Sequence, residues 1–154
     1  MSTENPPAVI DQEAFSVSRS IFIAATPDRV WAAITDPELI VKWFGKGATL
    51  DRLEVGGSGV WSFEGYGDVP IVIEALDPIR SITYRWGDTK SPTIDPVAST
   101  VFTYTLEAVS GGTQLSVIET GFQNLADPLR GLEGNQEGWT SELNKLVAYL
   151  EGAA

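Results

Sequence analysis

The chain has 154 residues, of which 43% are hydrophobic and 20% charged, a balance typical of one soluble globular domain. It contains no cysteine and no histidine, which excludes disulfides, thiolate and imidazole catalysis, and the usual zinc sites. The formal net charge is -11, so the surface does not suit nucleic acid or an anionic membrane.

The N-terminal segment is acidic and carries two prolines without any positive charge. This composition predicts a disordered tail over residues 1–13, followed by a single domain over residues 14–152. No basic patch precedes an apolar run, so no signal peptide is indicated. No stretch approaches the ~18 apolar residues that span a bilayer. We therefore expect a cytoplasmic protein.

The first ordered elements are predicted to be one strand and two short helices. Apolar residues alternate over residues 15–23, which indicates a strand with one apolar face. Residues 26–28 then read Thr-Pro-Asp, a helix start with an N-cap, a proline at the first position and an acid in the first turn. Residues 36–38 repeat the device as Asp-Pro-Glu. Since Pro37 would break one long helix, two short helices are predicted.

The middle of the chain predicts an antiparallel meander. Apolar residues alternate in short runs between residues 61 and 117, one of them formed by Val69, Ile71, Ile73 and Ala75. Turn signals rich in glycine, aspartate and proline separate the runs, and short connections favour antiparallel neighbours. Two longer segments, residues 87–96 and 121–134, are predicted to be irregular loops of a length usual for lids or mobile segments.

The last predicted element is an amphipathic helix over residues 135–151, with one apolar stripe from Trp139 to Leu150. A helix is ~10–12 Å wide, whereas six or seven strands span about 30 Å. The sheet must therefore curl around the helix. The prediction is an α+β fold, a curved antiparallel sheet of six or seven strands around a C-terminal helix. A pocket forms wherever side chains fail to fill the space between them.

Several segments in this order resemble the START-like (SRPBCC) superfamily, and most closely the branch of activator of heat-shock protein 90 ATPase C-terminal domain homologues. The matching pieces are residues 21–40 with Trp43 and Phe44, residues 55–63, 77–84, 112–115, 121–122 and 138–146. They extend over roughly residues 15–151. The resemblance implies a helix-grip fold with a hydrophobic cavity between the sheet and the C-terminal helix.

The resemblance also implies a class of ligand. Members of the wider superfamily bind lipids, polyketides, plant hormones and other apolar small molecules, and a few cyclise or hydrolyse them. Many bacterial members of this branch have no settled activity. Such a resemblance points to a site rather than to a reaction.

Large apolar side chains at inward positions are the candidate ligand-binding residues, because aromatic walls suit an apolar or planar ligand. The alternative is that they fill the core. The candidates are Trp43, Phe44, Trp61, Phe63, Ile71, Ile73, Tyr84, Trp86, Phe102, Tyr104, Trp139, Leu143 and Leu146.

Four polar side chains share these inward positions. The hydroxyls of Tyr84 and Tyr104 are expected either to orient a ligand or to reach the rim. Arg19 lies on the apolar side of the first strand, and Glu119 on that of the last strand. If these strands pair, the two charges form a cavity-facing couple that binds a polar ligand head. The alternative is that both strand ends splay into solvent.

The leading functional hypothesis is a non-catalytic binder of a hydrophobic or aromatic small molecule. One alternative is an enzyme of the polyketide cyclase or dehydratase kind, with Tyr84, Tyr104, Glu119 or Arg19 in acid–base roles. Another is a chaperone-associated protein whose acidic surface meets a basic partner. The sequence indicates no cofactor, no phosphate-binding loop and no metal site.

Overall fold

Residues 5–152 are described by a computed structural model, in which one antiparallel sheet curves around a long helix. The strands are β1 (Val9–Asp11), β2 (Ser16–Ile23), β3 (Gly47–Ala48), β4 (Ser58–Phe63), β5 (Gly67–Asp77), β6 (Ser81–Trp86), β7 (Thr100–Val109) and β8 (Gly112–Thr120). The helices are α1 (Pro27–Thr35), α2 (Pro37–Ile40) and α3 (Pro128–Gly152), with a 3-10 helix at Phe122–Asn124.

The sheet has the order β1-β2-β8-β7-β6-β5-β4-β3, and every pairing is antiparallel. β8 lies beside β2, so the last long strand closes on the first one, as predicted. The apolar stripe of α3 packs into the concave face with Trp139, Leu143 and Leu146 buried. The predicted helix-grip architecture is confirmed.

The two short helices begin where the capping signals predict. The Thr26 hydroxyl accepts from the Arg29 backbone N–H at 3.4 Å, and the Asp36 carboxylate accepts from that of Glu38 at 3.0 Å. A proline follows each cap as the first helical residue. Each cap satisfies a backbone donor that the helix leaves unpaired. The chain is thereby turned from β2 across the end of the sheet.

A bulge in β5 increases the curvature of the sheet. Ile73 pairs with Tyr84, but Ala75 pairs with Thr83, so Glu74 is the extra residue. Such an insertion bends the strand and reverses its alternation. Ala75, which the alternation placed inside, is therefore exposed, and Leu76 packs against the core instead.

The sheet contains eight strands within the described residues, rather than six or seven. The additional strands are β1 and β3, which have three and two residues and lie at the two edges. Alternation is not detectable over so few residues. β1 also lies within the predicted disordered tail, so the structure differs from that prediction from residue 5 onward; residues 1–4 of the tail lie outside the described part of the chain.

The segment before β2 is seated on α3 by hydrogen bonds that local composition does not reveal. Ala8 is buried, and its backbone N–H donates to the Thr140 hydroxyl at 3.0 Å. The Arg19 guanidinium joins this segment, β2 and α3: it donates to the carbonyls of Pro6, Trp139 and Thr140 and to the Asn144 side-chain oxygen, over 2.7–3.2 Å. Arg19 is only 3% exposed.

The C-terminal helix begins at Pro128, before the predicted start at residue 135. The 3-10 helix and the first turns of α3 occupy most of the segment predicted to be a loop. Gly131 and Gly134 hide the helical pattern there, because glycine is a poor helix former. The other predicted loop, at residues 87–96, is irregular and extends to Ser99.

Replacing Arg19 by methionine should lower the free energy of unfolding by about 2–3 kcal/mol, because four acceptors lose a charged donor. Arg19→Lys should lose less, since it keeps the charge but not the planar fork. Urea unfolding at pH 7 measures both. Arg130→Met, at an exposed position, is the control. Equal urea midpoints for Arg130→Met and Arg19→Met would contradict a stabilising role of the Arg19 hydrogen bonds.

Candidate functional site

A cavity of about 420 Å³ lies at one end of the interface between the sheet and α3. Exposed residues, among them Tyr66, Asp88 and Ala98, form its rim, and buried aromatic rings form its inner wall. The lining residues are Phe44, Phe63, Tyr66, Val69, Trp86, Gly87, Asp88, Ala98, Ser99, Thr100, Phe122, Leu125, Gly131, Asn135, Gly138, Trp139 and Glu142.

The helix α3 contributes one stripe to this cavity. Gly131, Asn135, Gly138, Trp139 and Glu142 all line it, and their spacing of four, seven, eight and eleven residues puts them on one helix face. A Cβ atom placed on Gly138 would meet nothing within 4 Å, so this glycine borders open space. The cavity exists partly because the helix carries no side chain there.

Three nearly parallel aromatic rings form part of the inner wall. The ring centroids of Trp86 and Trp139 are 5.9 Å apart, and Phe44 lies 6.3 Å from the first and 6.2 Å from the second. The interplanar angles are 15–28°. Each ring comes from a different part of the chain, namely the segment after α2, β6 and α3. The packing of these rings gives the cavity a rigid apolar surface.

Behind this wall lies Glu119, a fully buried carboxylate on β8. Its Oε1 accepts from the Trp139 indole N–H and the Asn135 amide, both at 2.8 Å. Its Oε2 accepts from the Trp86 indole N–H at 2.9 Å and from the Thr100 hydroxyl at 2.5 Å. All four donors belong to residues that line the cavity. Glu119 therefore orients the wall without itself lining the cavity.

The charge of Glu119 has no cationic partner within the described residues. Burial raises the pKa of the carboxyl above its ordinary value, while the four hydrogen bonds act in the opposite direction. The geometry provides two donors for each oxygen, which suits an ionised carboxylate. Neutral dipoles thus compensate the burial of this charge, although not completely.

The predicted Arg19–Glu119 couple is wrong. Glu119 pairs with Val17 in the β2–β8 ladder, and Arg19 pairs with Val117. The guanidinium turns toward the carbonyls of α3, and the carboxylate turns toward the indoles. Both residues are buried, so the alternative of splayed strand ends is wrong as well. Neither side chain lines the cavity.

The predicted ligand-binding residues divide into two groups. Four of them, Phe44, Phe63, Trp86 and Trp139, line the cavity. The other nine do not line it and lie in the core, as their inward position equally allowed: Trp43, Trp61, Ile71, Ile73, Tyr84, Phe102, Tyr104, Leu143 and Leu146. The aromatic residues among these nine contact one another; for example, the ring centroids of Trp61 and Tyr84 are 4.9 Å apart.

The two tyrosines are core residues rather than cavity groups. The Tyr84 hydroxyl donates to the Ile34 carbonyl at 2.9 Å, so it is already used. Burial raises the pKa of Tyr84 and raises that of Tyr104 well above its ordinary value, where Tyr84 and the carboxylates Glu119 and Glu142 add to the effect. Both stay neutral at ordinary pH. Neither hydroxyl reaches the cavity or its rim, because both residues are only 1% exposed.

Sequence reasoning missed most of the polar lining and the two ends of the cavity. The missed residues are Tyr66, Val69, Gly87, Asp88, Ala98, Ser99, Thr100, Phe122, Leu125, Gly131, Asn135, Gly138 and Glu142. One available signal was the pair of glycines, Gly131 and Gly138, on the inward stripe of an amphipathic helix. An inward glycine indicates either a close approach, as Gly131 makes to Leu125 and Phe122, or open space, as beside Gly138.

Two further kinds of feature are absent from residues 5–152. No group of three or more aspartate and glutamate side chains comes together there that could hold a metal ion. No helix in the same range is long and apolar enough to cross a membrane.

Comparisons with known proteins agree with the fold. A family model described as activator of Hsp90 ATPase homolog 1-like protein matches residues 24–151. No curated protein sequence matches the chain.

Solved structures share the fold over most of the chain. Protein MLL2253 from Mesorhizobium loti is 26% identical, covers 90% of this chain and 98% of its own, and superposes with a TM-score of 0.76. The Aha1 dimer from Colwellia psychrerythraea is 19% identical, covers 88% and 96%, and has a TM-score of 0.71. DynU16, a putative protein in the dynemicin biosynthetic locus, is 23% identical, covers 88% and 47%, and has a TM-score of 0.73.

Substituting Glu119 by glutamine should destabilise the protein by roughly 1–3 kcal/mol, because the amide NH2 group that replaces one carboxylate oxygen cannot accept and leaves the indole N–H facing it unpaired. The effect should depend on pH. The pKa of the Glu119 carboxyl is raised in the folded protein above its ordinary value of 4.5. Just above pH 4.5, Glu119 therefore still holds its proton in the folded protein but has lost it in the unfolded chain. The free energy of unfolding of the unsubstituted protein therefore falls, relative to Glu119→Gln, as pH rises above about 4.5.

Urea unfolding between pH 5 and pH 8 measures this difference. The control is Glu107→Gln, which makes the same charge change at an exposed position of β7. The difference in free energy of unfolding between the unsubstituted protein and Glu119→Gln should narrow with rising pH. The difference between the unsubstituted protein and Glu107→Gln should not. A gap that widens with pH would show that the folded protein favours the charged form of Glu119.

Proposed function

Because the chain belongs to the family of activator of Hsp90 ATPase homolog 1-like proteins, we propose that it binds an apolar or aromatic small molecule in the cavity beside α3 and does not transform it. One observation carries the proposal: the cavity measures about 420 Å³ and has a wall of aromatic rings. Ligand sites of proteins commonly measure about 300–1,000 Å³ and combine such walls with a few polar groups.

The wall is preorganised for a ligand. Trp86 and Trp139 are held by the same carboxylate, one on each oxygen, so their rings do not have to be ordered when a ligand enters. Preorganisation reduces the entropy that binding costs. An unsupported pocket of this size between apolar groups would tend to be filled by moving side chains.

The four acid–base candidates that the sequence suggested lie away from the cavity. Tyr84, Tyr104, Glu119 and Arg19 were the residues of the enzyme hypothesis, and none of them lines the cavity. A general acid or base has to come within hydrogen-bond reach of the reacting group. The polyketide cyclase or dehydratase reading therefore loses the residues on which it rested.

The relatives are consistent with a small-molecule role. DynU16 is a putative protein in the dynemicin biosynthetic locus, which is a setting of small-molecule biosynthesis. The Aha1 dimer shares the fold at 19% identity, a likeness that supports the fold and not a chaperone partner. We place this binding function in the cytoplasm as part of the same proposal.

Replacing Gly138 by leucine should block the cavity, because the added side chain points into its open space. The affinity for N-phenyl-1-naphthylamine, a neutral aromatic probe whose fluorescence rises in apolar surroundings, should fall at least about tenfold. Fluorescence titration measures this loss. The fold should persist, since leucine is the better helix former by up to roughly 1 kcal/mol.

Gly134→Leu is the matched control. Gly134 lies one turn earlier on the same helix, also has nothing within 4 Å of an added Cβ, and does not line the cavity. This variant should bind the probe like the unsubstituted protein. Equal probe binding by both leucine variants would place the ligand elsewhere. Organic extraction of both purified variants, followed by mass spectrometry, should recover a natural ligand from Gly134→Leu and not from Gly138→Leu.

A further inference from the structure

The cavity wall offers few hydrogen-bond donors to a ligand. The indole N–H groups of Trp86 and Trp139, the Thr100 hydroxyl and one amide hydrogen of Asn135 all point at Glu119. A carboxylate or phosphate of a ligand needs such donors when it leaves water. The position of Glu119 therefore makes this wall a poor site for an anion.

Charged acceptors, by contrast, line the cavity. Two carboxylates line it, Asp88 at the exposed rim and Glu142 on α3, and none of the described lining residues is a lysine or arginine. The Oε2 atom of Glu142 is buried, and its near neighbour is the Lys145 ammonium nitrogen at 2.5 Å. An ionised carboxylate has acceptor sites for about four donors, so one ion pair leaves Glu142 able to accept from a second cation.

Lys145 forms an ion pair with Glu142 across one turn of α3. Its Nζ lies 2.5 Å from Glu142 Oε2, but the contact lacks the direction of a hydrogen bond. The Lys145 side chain is 56% exposed and is not among the lining residues. The Glu142 side chain is 18% exposed, so the pair is open to solvent mainly on its lysine side. Because Glu142 lines the cavity and Lys145 does not, a cation in the cavity can approach the carboxylate while Lys145 stays in place.

The aromatic wall adds a second attraction for positive charge. Cations are attracted to the faces of aromatic rings, most strongly tryptophan, within about 6 Å of the ring centroid. Trp86 and Trp139 each donate their N–H to the Glu119 carboxylate, and this polarises electron density toward the rings. The ring cluster and Glu142 belong to the same cavity.

We propose that the cavity selects an organic cation, an ammonium group carried on an apolar or aromatic body. The ammonium group meets Glu142, and the body packs against Phe44, Trp86 and Trp139. The inference rests on the proposed binding function and narrows it to one charge class. A ligand anion would face Glu142 and Asp88 with no cation to receive it.

Three probes with one body test the proposal: 4-phenylbutylammonium, 4-phenylbutanol and 4-phenylbutyrate. Titrations followed by the indole ¹⁵N–¹H signals of Trp86 and Trp139 give the affinity of each probe at this site. The ammonium should bind about tenfold more tightly than the alcohol, since a charge pair at short range in a partly desolvated site contributes that much. The carboxylate should bind most weakly. Equal affinities in 0.5 M salt would mean that the preference comes from the net charge of the protein.

The variant pair Glu142→Gln and Glu137→Gln separates Glu142 from the general acidity of the chain. Both remove one negative charge from α3, but Glu137 is exposed and does not line the cavity. Glu142→Gln should reduce ammonium binding roughly tenfold and alcohol binding much less, because glutamine keeps an acceptor oxygen but not the charge. Glu137→Gln should change neither. Asp88→Asn, at the exposed rim, provides a second cavity variant should Glu142→Gln fail to fold.

The outcomes distinguish the two proposals. If the alcohol binds as tightly as the ammonium, the cavity is a ligand site and the inference about charge is wrong. If both glutamine variants lose the same affinity, the inference is wrong as well. If none of the three probes shifts the two indole signals, the proposed binding function fails and this inference fails with it.

Discussion

The carboxylate of Glu119 is the point at which the sheet and the helix are joined. It accepts four hydrogen bonds from three elements: Trp86 of β6, Thr100 of β7, and Asn135 and Trp139 of α3. A buried charge without such partners would be strongly destabilising. The donors must therefore stay in place, and this requirement sets the distance between α3 and the sheet at the end where the cavity lies. The orientation of the aromatic wall follows from it.

A second buried charge fastens the neighbouring part of the same helix. Arg19 on β2 donates to the carbonyls of Trp139 and Thr140, while the side chain of Trp139 donates to Glu119. The two charges share a residue of α3 but do not touch. Each is compensated by neutral dipoles, so the helix is gripped from two strands at once. This grip keeps the sheet and the helix apart where Gly138 leaves room, and it prevents the cavity from closing.

The fold and the cavity differed in how much of each was predictable from the sequence. Caps such as Thr26 and Asp36 and the alternation along the long strands are local signals, and the helices and strands that they predict are present. Inward position did not distinguish core from cavity. Trp61 and Trp86 both point inward, but Trp61 is enclosed by other rings, while Trp86 borders empty space. Residue alternation tells which face of the sheet a side chain lies on. It does not tell whether the space opposite that side chain is filled.

The amino-acid sequence by itself determined the order of elements, their antiparallel pairing and the curling of the sheet around one helix, because these follow from periodicity, capping and short connections. Only the tertiary structure decided the partners of Arg19 and Glu119 and the position of the cavity. The donors to Glu119 lie 16 to 33 residues away along the chain, and three of the four acceptors of Arg19 lie 120 residues or more away. Such partners are chosen by packing in three dimensions. The charges that looked like a couple in the sequence are separated for that reason, since each finds better-placed dipoles on the helix and the neighbouring strands.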